Sequence, residues 1–179
     1  MAQGITVWLT GLSGAGKTTI CRIAADRLLR RGIRAEVLDG DELRNALSPD
    51  LGFSREDRMQ HARRTAYVAK LLSRNGVVVF VALISPYREM RSHARREIEQ
   101  FVEVYVKCPL TVCAKRDVKG LYRKAARGKI RQFTGISDPY EEPDHPDLVL
   151  ETDRESPQES AEKLLQYLKA SGRLPPEPS

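Results

Sequence analysis

The chain has 179 residues, of which 41% are hydrophobic and 30% charged, and this size and composition are typical of a single soluble domain. No apolar run in the sequence is long enough to cross a bilayer, and a strand-like run starts so close to Met1 that we expect no signal peptide. The three cysteines, Cys21, Cys108 and Cys113, are odd in number and lack metal-ligand spacing, which favours buried thiols and a cytoplasmic location.

The net charge of +6 is concentrated in one stretch of the chain. Residues 115–131, called the basic segment below, hold eight basic residues and one acid, Asp117, so they carry +7 and the rest of the chain is close to neutral. An extended basic stripe would be typical of a nucleic-acid-binding protein, whereas one concentrated segment favours a clamp over a small polyanion. We therefore expect neither a nucleic-acid partner nor a membrane partner.

Strand-like runs alternate with helical stretches along the chain. The predicted strands cover residues 5–10, 35–38, 77–82, 101–106 and 148–150, and the predicted helices cover residues 18–31, 55–75 and 156–171. This alternation predicts an α/β fold with a five-stranded parallel sheet, right-handed crossovers and helices on both faces. We expect one domain over residues 1–172 and a disordered, proline-rich tail over residues 173–179.

A complete phosphate-binding loop follows the first predicted strand. Residues 11–18 match the pattern G-x-x-x-x-G-K-[ST], and the strand before them and the helix after them supply the context that this pattern needs. Backbone N–H groups would cradle a polyphosphate, Lys17 would reach its β- and γ-phosphates, and the Thr18 hydroxyl would bind Mg²⁺. The sequence therefore predicts a P-loop NTPase fold that binds a nucleoside triphosphate. The expected nucleotide-binding residues of this region are Gly11, Leu12, Ser13, Gly14, Ala15, Gly16, Lys17, Thr18 and Thr19.

Further polar segments are expected to meet the phosphate-binding loop in one cleft, because ligands of open parallel sheets bind outside the carboxyl ends of the strands. These segments are residues 39–41, 84–88 and 108–109. Asp39 could accept a proton from an acceptor hydroxyl or hold Mg²⁺ through water, and Arg44 could clamp an anion. The alternative for this stretch is a tight Asp-Gly turn with solvated charges.

Two aromatic residues near basic residues are candidates for binding a base. Phe53 stands at the entrance of the predicted helix 55–75, where Arg58 opposes the helix dipole and so indicates a bound anion. A solvated ion pair is the alternative for Arg58. Phe133 follows the basic segment in an irregular stretch, either as a stacking face or as a loop anchor in the core. His61 lies in the same helix as Arg58, where a packed histidine is the more common case.

The ordered set of segments between Ile5 and Thr152 resembles the adenylylsulfate kinase family. The resemblance is carried by residues 8–19, 38–41 with 44, 50–54, 56–58, 84–88, 116–117, 119–122, 133–136 and 138–141. It implies transfer of the γ-phosphoryl group of ATP, with Mg²⁺, to the 3′-hydroxyl of adenosine 5′-phosphosulfate. It also implies a homodimer and an ATP sulfurylase as the upstream enzyme. The rival interpretation is a P-loop kinase for a nucleoside or a sugar acid.

The resemblance also implies roles for individual residues. Asp39 would lie nearest the 3′-hydroxyl, Phe53 and Phe133 would sandwich the acceptor adenine, and Arg116 would lie against the ATP adenine. A mobile lid would run from Lys119 to Arg131. The implied catalytic residues are Lys17, Asp39 and Ser85. The implied acceptor-binding residues are Asp39, Asp41, Arg44, Phe53, Arg58, His61, Ile84, Ser85, Lys119, Leu121 and Phe133, with Arg44 and Arg58 on the phosphosulfate.

A few positions depart from the family pattern or qualify it. Glu42 and His61 stand where the family has asparagine, and Val118 stands where it has proline. Ser85 matches a serine that the family describes as a phosphoserine intermediate. Because no histidine lies next to Ser85, we expect direct transfer between two bound nucleotides instead.

The sequence lacks the motifs of a nucleotide switch of the GTPase type. It has no Asp-x-x-Gly switch after a strand and no Asn-Lys-x-Asp guanine reader, which argues against a GTPase.

Overall fold

Five parallel strands form the centre of the computed structural model, which describes residues 4–175. The strands are β1 (Ile5–Thr10), β2 (Ala35–Asp39), β3 (Val78–Ala82), β4 (Phe101–Lys107) and β5 (Leu148–Glu151), in the spatial order β2-β3-β1-β4-β5. Every neighbouring pair in this order is parallel. The predicted five-stranded parallel sheet is therefore confirmed, and each strand boundary lies within one residue of the prediction.

Helices connect the strands in chain order. Within residues 4–175 they are α1 (Lys17–Leu29), α2 (Gly40–Leu47), α3 (Arg55–Arg74), α4 (Arg88–Glu97), α5 (Leu110–Arg116), α6 (Leu121–Ala126) and α7 (Pro157–Ala170). The three predicted helices correspond to α1, α3 and α7. Helices α3 and α7 each begin with a capping box, formed by Ser54 with Asp57 and by Ser156 with Glu159. The remaining helices are short, so their apolar positions do not form a clear helical period in the sequence.

The alternation of side chains along β1 divides the core between the two faces of the sheet. Val7 and Leu9 lie on one face and pack with α1 and α7. Trp8 lies on the other face with residues of α3 and α4. Both faces are therefore covered, which is why the central strands are near-continuous apolar runs. The carboxyl ends of β1, β2 and β3 remain open, and the polar segments that follow them meet there.

The first residues of the predicted tail contact the body of the protein. The Arg173 guanidinium donates to the carbonyl oxygen of Phe101 at 3.0 Å, and Leu174 packs against the core on the α7 side. Residues 176–179 of the predicted tail lie outside the described residues. Within residues 4–175, no helix combines the length and the apolar character that a membrane crossing requires.

Candidate active site

The phosphate-binding loop occupies the turn between β1 and α1. Gly14 and Gly16 have φ angles of 81° and 102°, which side chains rarely tolerate, so glycine is required at both positions. The Lys17 Nζ donates to the carbonyl oxygens of Gly11 and Leu12, each at 2.8 Å. Burial, and secondly the charge on Lys119, lower the pKa of Lys17 to about 8. The amine therefore lies along the loop, in a place where an added anion would favour its charged form.

Asp39 joins the loop to the second strand. Its Oδ2 accepts a hydrogen bond from Thr18 Oγ1 at 2.6 Å, and its Oδ1 accepts from the backbone N–H groups of Asp41 and Glu42, each at 3.1 Å. Partial burial raises the pKa of Asp39, but the hydrogen bonds from Thr18, Glu42 and Asp41 and the charge on Lys119 outweigh it, so the pKa lies below its usual value. Asp39 therefore caps helix α2 as an ionised carboxylate.

The oxygen atoms of Thr18 and Asp39 fit a magnesium ion. Mg²⁺ prefers oxygen ligands and is commonly held by one or two carboxylates together with substrate phosphates and water. The Thr18 hydroxyl and the Asp39 carboxylate are adjacent, and both lie at the end of the loop where a polyphosphate would be bound. These two side chains are the residues that would hold the ion.

A cavity of about 220 Å³ lies between the phosphate-binding loop, the start of α2 and the basic segment. This cavity is lined by many of the site residues that were predicted from the sequence. Its lining comprises Ser13, Gly14, Gly16, Lys17, Thr18, Thr19, Asp39, Gly40, Asp41, Ala82, Ile84, Asp117, Val118, Lys119, Leu121 and Tyr122. The predicted meeting of the loop with residues 39–41 and residue 84 is thus realised in the structure. Residues 108–109, which were expected in the same cleft, line a separate cavity beside Tyr140.

Asp117, the one acid of the basic segment, organises it over the cavity. The buried Asp117 carboxylate accepts from the backbone N–H groups of Tyr122 and Arg123, at 2.9 and 3.2 Å, and so fixes the first turn of α6. The Tyr122 hydroxyl donates to the carbonyl oxygen of Ser13 at 2.7 Å, and Lys119 forms an ion pair with Asp41. Asp117 and Tyr122 belong to segments that carry the family resemblance, but neither was given a role from the sequence. The mobility of this segment stays a prediction.

Arg116 lies on the outer side of the phosphate-binding loop. Its guanidinium donates to the carbonyl oxygens of Gly14 and Thr152, at 3.2 and 2.5 Å. The Thr152 hydroxyl in turn donates to the carbonyl oxygen of Ala15 at 2.7 Å. Arg116 therefore links the phosphate-binding loop to the segment that follows β5. The contact of Arg116 with the ATP adenine was expected at this edge of the site and stays a prediction.

Comparison with known proteins decides the family. The model of the adenylylsulphate kinase family matches residues 3–151. The chain belongs to this family. An adenylyl-sulfate kinase of Halothermothrix orenii is 54% identical over 172 residues, which are 96% of this chain and 93% of that protein. An adenylyl-sulfate kinase of Picosynechococcus is 52% identical over 174 residues, which are 97% of this chain and 98% of that protein.

A solved structure extends the comparison to three dimensions. The Mycobacterium tuberculosis APS kinase CysC in complex with AMPPNP and APS superposes with a TM-score of 0.91 and is 46% identical. The match covers 94% of this chain and 99% of that chain. The resemblance inferred from the sequence and the P-loop kinase fold are therefore confirmed, and the chain is a kinase of the adenylylsulphate kinase family.

The aromatic residues expected at the acceptor site of this kinase family occupy different environments. Phe53 is 59% exposed, and the Arg44 guanidinium lies 4.5 Å from the centre of its ring. Phe133 is only 8% exposed and packs edge-on against Tyr122, with ring centres 5.0 Å apart. The expected sandwich is therefore not assembled in this structure, because Phe133 is part of the core on the α1 side. Its role as a loop anchor, the alternative considered from the sequence, describes its present position.

His61 is buried, and both of its ring nitrogens have partners within the protein. Nε2 lies 3.1 Å from the carbonyl oxygen of Gly40, and Nδ1 lies 2.9 Å from Ser48 Oγ. Burial, together with the charge on Arg44, lowers the pKa of His61, which favours a neutral ring that donates from Nε2 and accepts at Nδ1. These contacts hold the two ends of helix α2, so His61 has a packing role here and no free nitrogen for an acceptor.

The Ser85 hydroxyl also has hydrogen-bond partners within the protein. Its Oγ accepts a hydrogen bond from Trp8 Nε1 at 3.0 Å and donates to the carbonyl oxygen of Leu83 at 2.9 Å. The residue is buried and has a φ angle of 43°. None of the groups that contact the hydroxyl is a general base, so these contacts give Ser85 a structural role and argue against the expected catalytic one. Its neighbour Ile84 does line the cavity.

Proposed function

We propose that this kinase transfers the γ-phosphoryl group of ATP to the 3′-hydroxyl of adenosine 5′-phosphosulfate, giving 3′-phosphoadenosine 5′-phosphosulfate and ADP. The observation that carries the proposal is the cavity in which Lys17, Thr18 and Asp39 converge, in a chain of the same fold as a kinase whose structure holds AMPPNP and APS. Phosphoryl transfer needs two bound nucleotides held in line and a field of positive charge around the transferring group.

Lys17 and Asp39 have different roles in the transfer: Lys17 acts on the phosphate charge and Asp39 on the acceptor hydroxyl. As the acceptor 3′-oxygen forms its bond to the γ-phosphorus, the bond from that phosphorus to the β–γ bridging oxygen breaks and ADP departs. Lys17 stabilises the charge that develops on the departing phosphate oxygens. The proton of the 3′-hydroxyl passes to Asp39 and from there to solvent. Because the pKa of Asp39 is lowered, Asp39 is a weak base, and its main contribution is to orient the hydroxyl while the proton leaves late.

The transfer requires no covalent enzyme intermediate. The Ser85 hydroxyl is already bonded to Trp8 and Leu83, and activation of a serine needs an adjacent base. Mg²⁺, held by Thr18 and Asp39, would neutralise charge on the nucleotide phosphates when it is bound. The half-buried Arg44 and the exposed Phe53 are the pair through which an acceptor with an aromatic base and an anion would first be recognised.

The chemistry of the acceptor, the family and the cysteines indicate the supplying reaction, the assembly and the location. The acceptor contains sulfate joined to a nucleotide, so a reaction that joins sulfate to an adenylate, as an ATP sulfurylase does, must supply it. A homodimer is the assembly that we expect from the family. A cytoplasmic location is supported by the three free and buried cysteines, since reducing compartments preserve thiols.

A comparison of acceptors tests the proposal. The purified protein would be assayed for ADP release with adenosine 5′-phosphosulfate, AMP, adenosine and gluconate as acceptors, with ATP and Mg²⁺ in excess. We expect turnover with adenosine 5′-phosphosulfate to exceed turnover with the other three by about two orders of magnitude or more, because AMP lacks the sulfate group, adenosine lacks the whole anion and gluconate lacks the base. Preference for gluconate or adenosine would show that the acceptor has been assigned wrongly.

A further inference from the structure

The Arg58 side chain connects the two segments that carry the aromatic candidates. Its Nε donates to the carbonyl oxygen of Phe53 at 2.9 Å and its Nη1 donates to Thr134 Oγ1 at 2.7 Å. Its Nη2 donates to the carbonyl oxygen of Gln132. Thr134 and Gln132 are the two chain neighbours of Phe133. The Arg58 guanidinium therefore donates hydrogen bonds to the main chain at Phe53 and to the residues that precede and follow Phe133.

Most of the hydrogen-bonding capacity of Arg58 is used within the protein. A guanidinium has about five N–H donors in a fixed planar arrangement. Three of them make the bonds described above, and Nη1 also lies 3.3 Å from the Asp138 carboxylate. The residue is 9% exposed. Arg58 thus sets the distance between the Phe53 and Phe133 segments, and its contact with the phosphosulfate stays a prediction.

Asp138 anchors this arrangement to the rigid part of the fold. Its Oδ2 accepts a hydrogen bond from the Tyr87 hydroxyl at 2.8 Å, and Tyr87 is the N-terminal cap residue of helix α4. Burial, and secondly the hydrogen bond to Asp138, raise the pKa of Tyr87, so the phenol remains a donor. The backbone N–H of Asp138 donates to the carbonyl oxygen of Phe133 at 3.1 Å. The side chain of Asp138 thus faces Arg58, and the main chain of Asp138 closes the turn that begins at Phe133.

We propose that Asp138 is a positioning residue for the acceptor site: its carboxylate, held by Tyr87, keeps Arg58 bonded to the segments of Phe53 and Phe133. The inference rests on the proposed function, because these two rings are assigned to the acceptor adenine. The Arg58 bonds keep the two segments side by side, and the Phe133 ring then has only to turn out of its contact with Tyr122 to reach the base. Asp138 acts through Arg58, which its carboxylate faces at 3.3 Å. Loss of its charge leaves a buried cation without its carboxylate partner, which weakens the hold on the Phe133 segment.

A matched pair of carboxamide variants tests this role. Asp138→Asn keeps the size of the side chain and removes its charge. With a non-hydrolysable ATP analogue present, we expect the Kd for adenosine 5′-phosphosulfate to rise about tenfold, as a weakened charge-assisted hydrogen bond predicts, and the Kd of the ATP analogue to change less than about twofold. The control is Asp144→Asn, in the same loop, whose exposed carboxylate pairs with Arg88 and whose loss should leave both affinities unchanged.

Two further variants keep the test decisive. If Asp138 acts through the Phe133 segment, Asp138→Asn combined with Phe133→Ala should bind the acceptor no more weakly than Phe133→Ala alone. Tyr87→Phe removes the hydrogen bond from Tyr87 to Asp138 and leaves the ion pair between Asp138 and Arg58 intact, so it should raise the acceptor Kd about threefold. This variant takes the place of Asp138→Asn if Asp138→Asn does not fold. Additive losses, or wild-type acceptor affinity in a folded variant of either residue, would overturn the inference. A wild-type protein that does not phosphorylate adenosine 5′-phosphosulfate would instead overturn the proposed function.

Discussion

The two sides of the cleft are built in different ways. On the nucleotide side, one short stretch of chain between β1 and α1 supplies the backbone cradle, and Lys17 and Thr18 are already placed on it by the first turn of a helix. On the acceptor side, the groups come from separate segments, and Phe53 is exposed while Phe133 is buried. Nucleotide binding is therefore a local property of the chain, whereas acceptor recognition depends on contacts between segments that are distant in sequence.

Asp39 lies where the two sides meet, and its substitution should have the largest effect. Asp39→Asn should lower kcat by about 10²–10⁴-fold, the range for loss of a general base or of the group that orients the hydroxyl, while the KM for ATP changes less, because the amide oxygen and Thr18 remain to hold Mg²⁺. Asparagine is also a good helix cap, so α2 should persist. Steady-state kinetics with both substrates measure this. If Asp41→Asn is the more impaired of the two variants, the reacting carboxylate has been assigned to the wrong residue.

Lys17 tests whether the nucleotide side supplies the positive charge of the transition state. Lys17→Ala should reduce kcat by about 10²–10³-fold, because loss of one such contact costs roughly 3–4 kcal/mol, and the fold should survive. Lys70→Ala is the control, since Lys70 is a remote surface cation paired with Glu97. Turnover near that of the wild type in folded Lys17→Ala would contradict the role of this loop.

The pH dependence of nucleotide binding provides an independent check on Lys17. Its pKa of about 8 means that the amine loses its charge as the pH rises through that value, and ATP binding stabilises the charged form. ATP affinity should therefore fall above pH 8, and binding there should take up a fraction of a proton. Calorimetry in buffers of different ionisation enthalpy measures the uptake, which should vanish in Lys17→Ala.

The two phenylalanines separate recognition from stability on the acceptor side. Phe53→Ala and Phe133→Ala should each weaken acceptor binding by roughly 1–3 kcal/mol, the range for a base stacked on an aromatic ring, with ATP binding nearly intact. Because Phe53 is exposed, its loss should leave the free energy of unfolding almost unchanged. Loss of the buried Phe133 should also destabilise the fold by about 3–5 kcal/mol. Denaturant unfolding and calorimetry distinguish the two, and equal stabilities would show that Phe133 is not a core anchor.

Ser85 should produce the smallest effect on the reaction. Ser85→Ala removes the acceptor of the Trp8 N–H, so stability should fall by about 1–3 kcal/mol, while activity should remain within about tenfold of wild type. The stereochemistry of transfer from a chiral γ-phosphate reports the number of displacement steps. Inversion fits direct transfer, and net retention would require the covalent step that the surroundings of Ser85 do not support.

The same division explains what could be predicted from the sequence. The loop at residues 11–18, the strand before it and the Ser54 capping box were predictable, because each depends on residues that are close in the chain. Helix α2 was missed, since Asp39 was weighed as a turn residue or a catalytic carboxylate, whereas it is also a helix cap. The contact between Arg58 and Thr134 joins residues 76 positions apart, and a single sequence offers no local pattern for it.

Hydrogen exchange over the two sides of the cleft tests the central claim most directly. Amide protection would be followed for residues 11–18 and for residues 115–135 in the free protein, with an ATP analogue, and with the analogue and adenosine 5′-phosphosulfate together. We predict that residues 11–18 gain protection with the ATP analogue alone, because their N–H groups then bind its phosphates, and that residues 115–135, with their eight like charges between Lys115 and Arg131, gain protection when both ligands are bound. Equal protection of residues 115–135 in all three states would contradict it and would make this segment a fixed basic face.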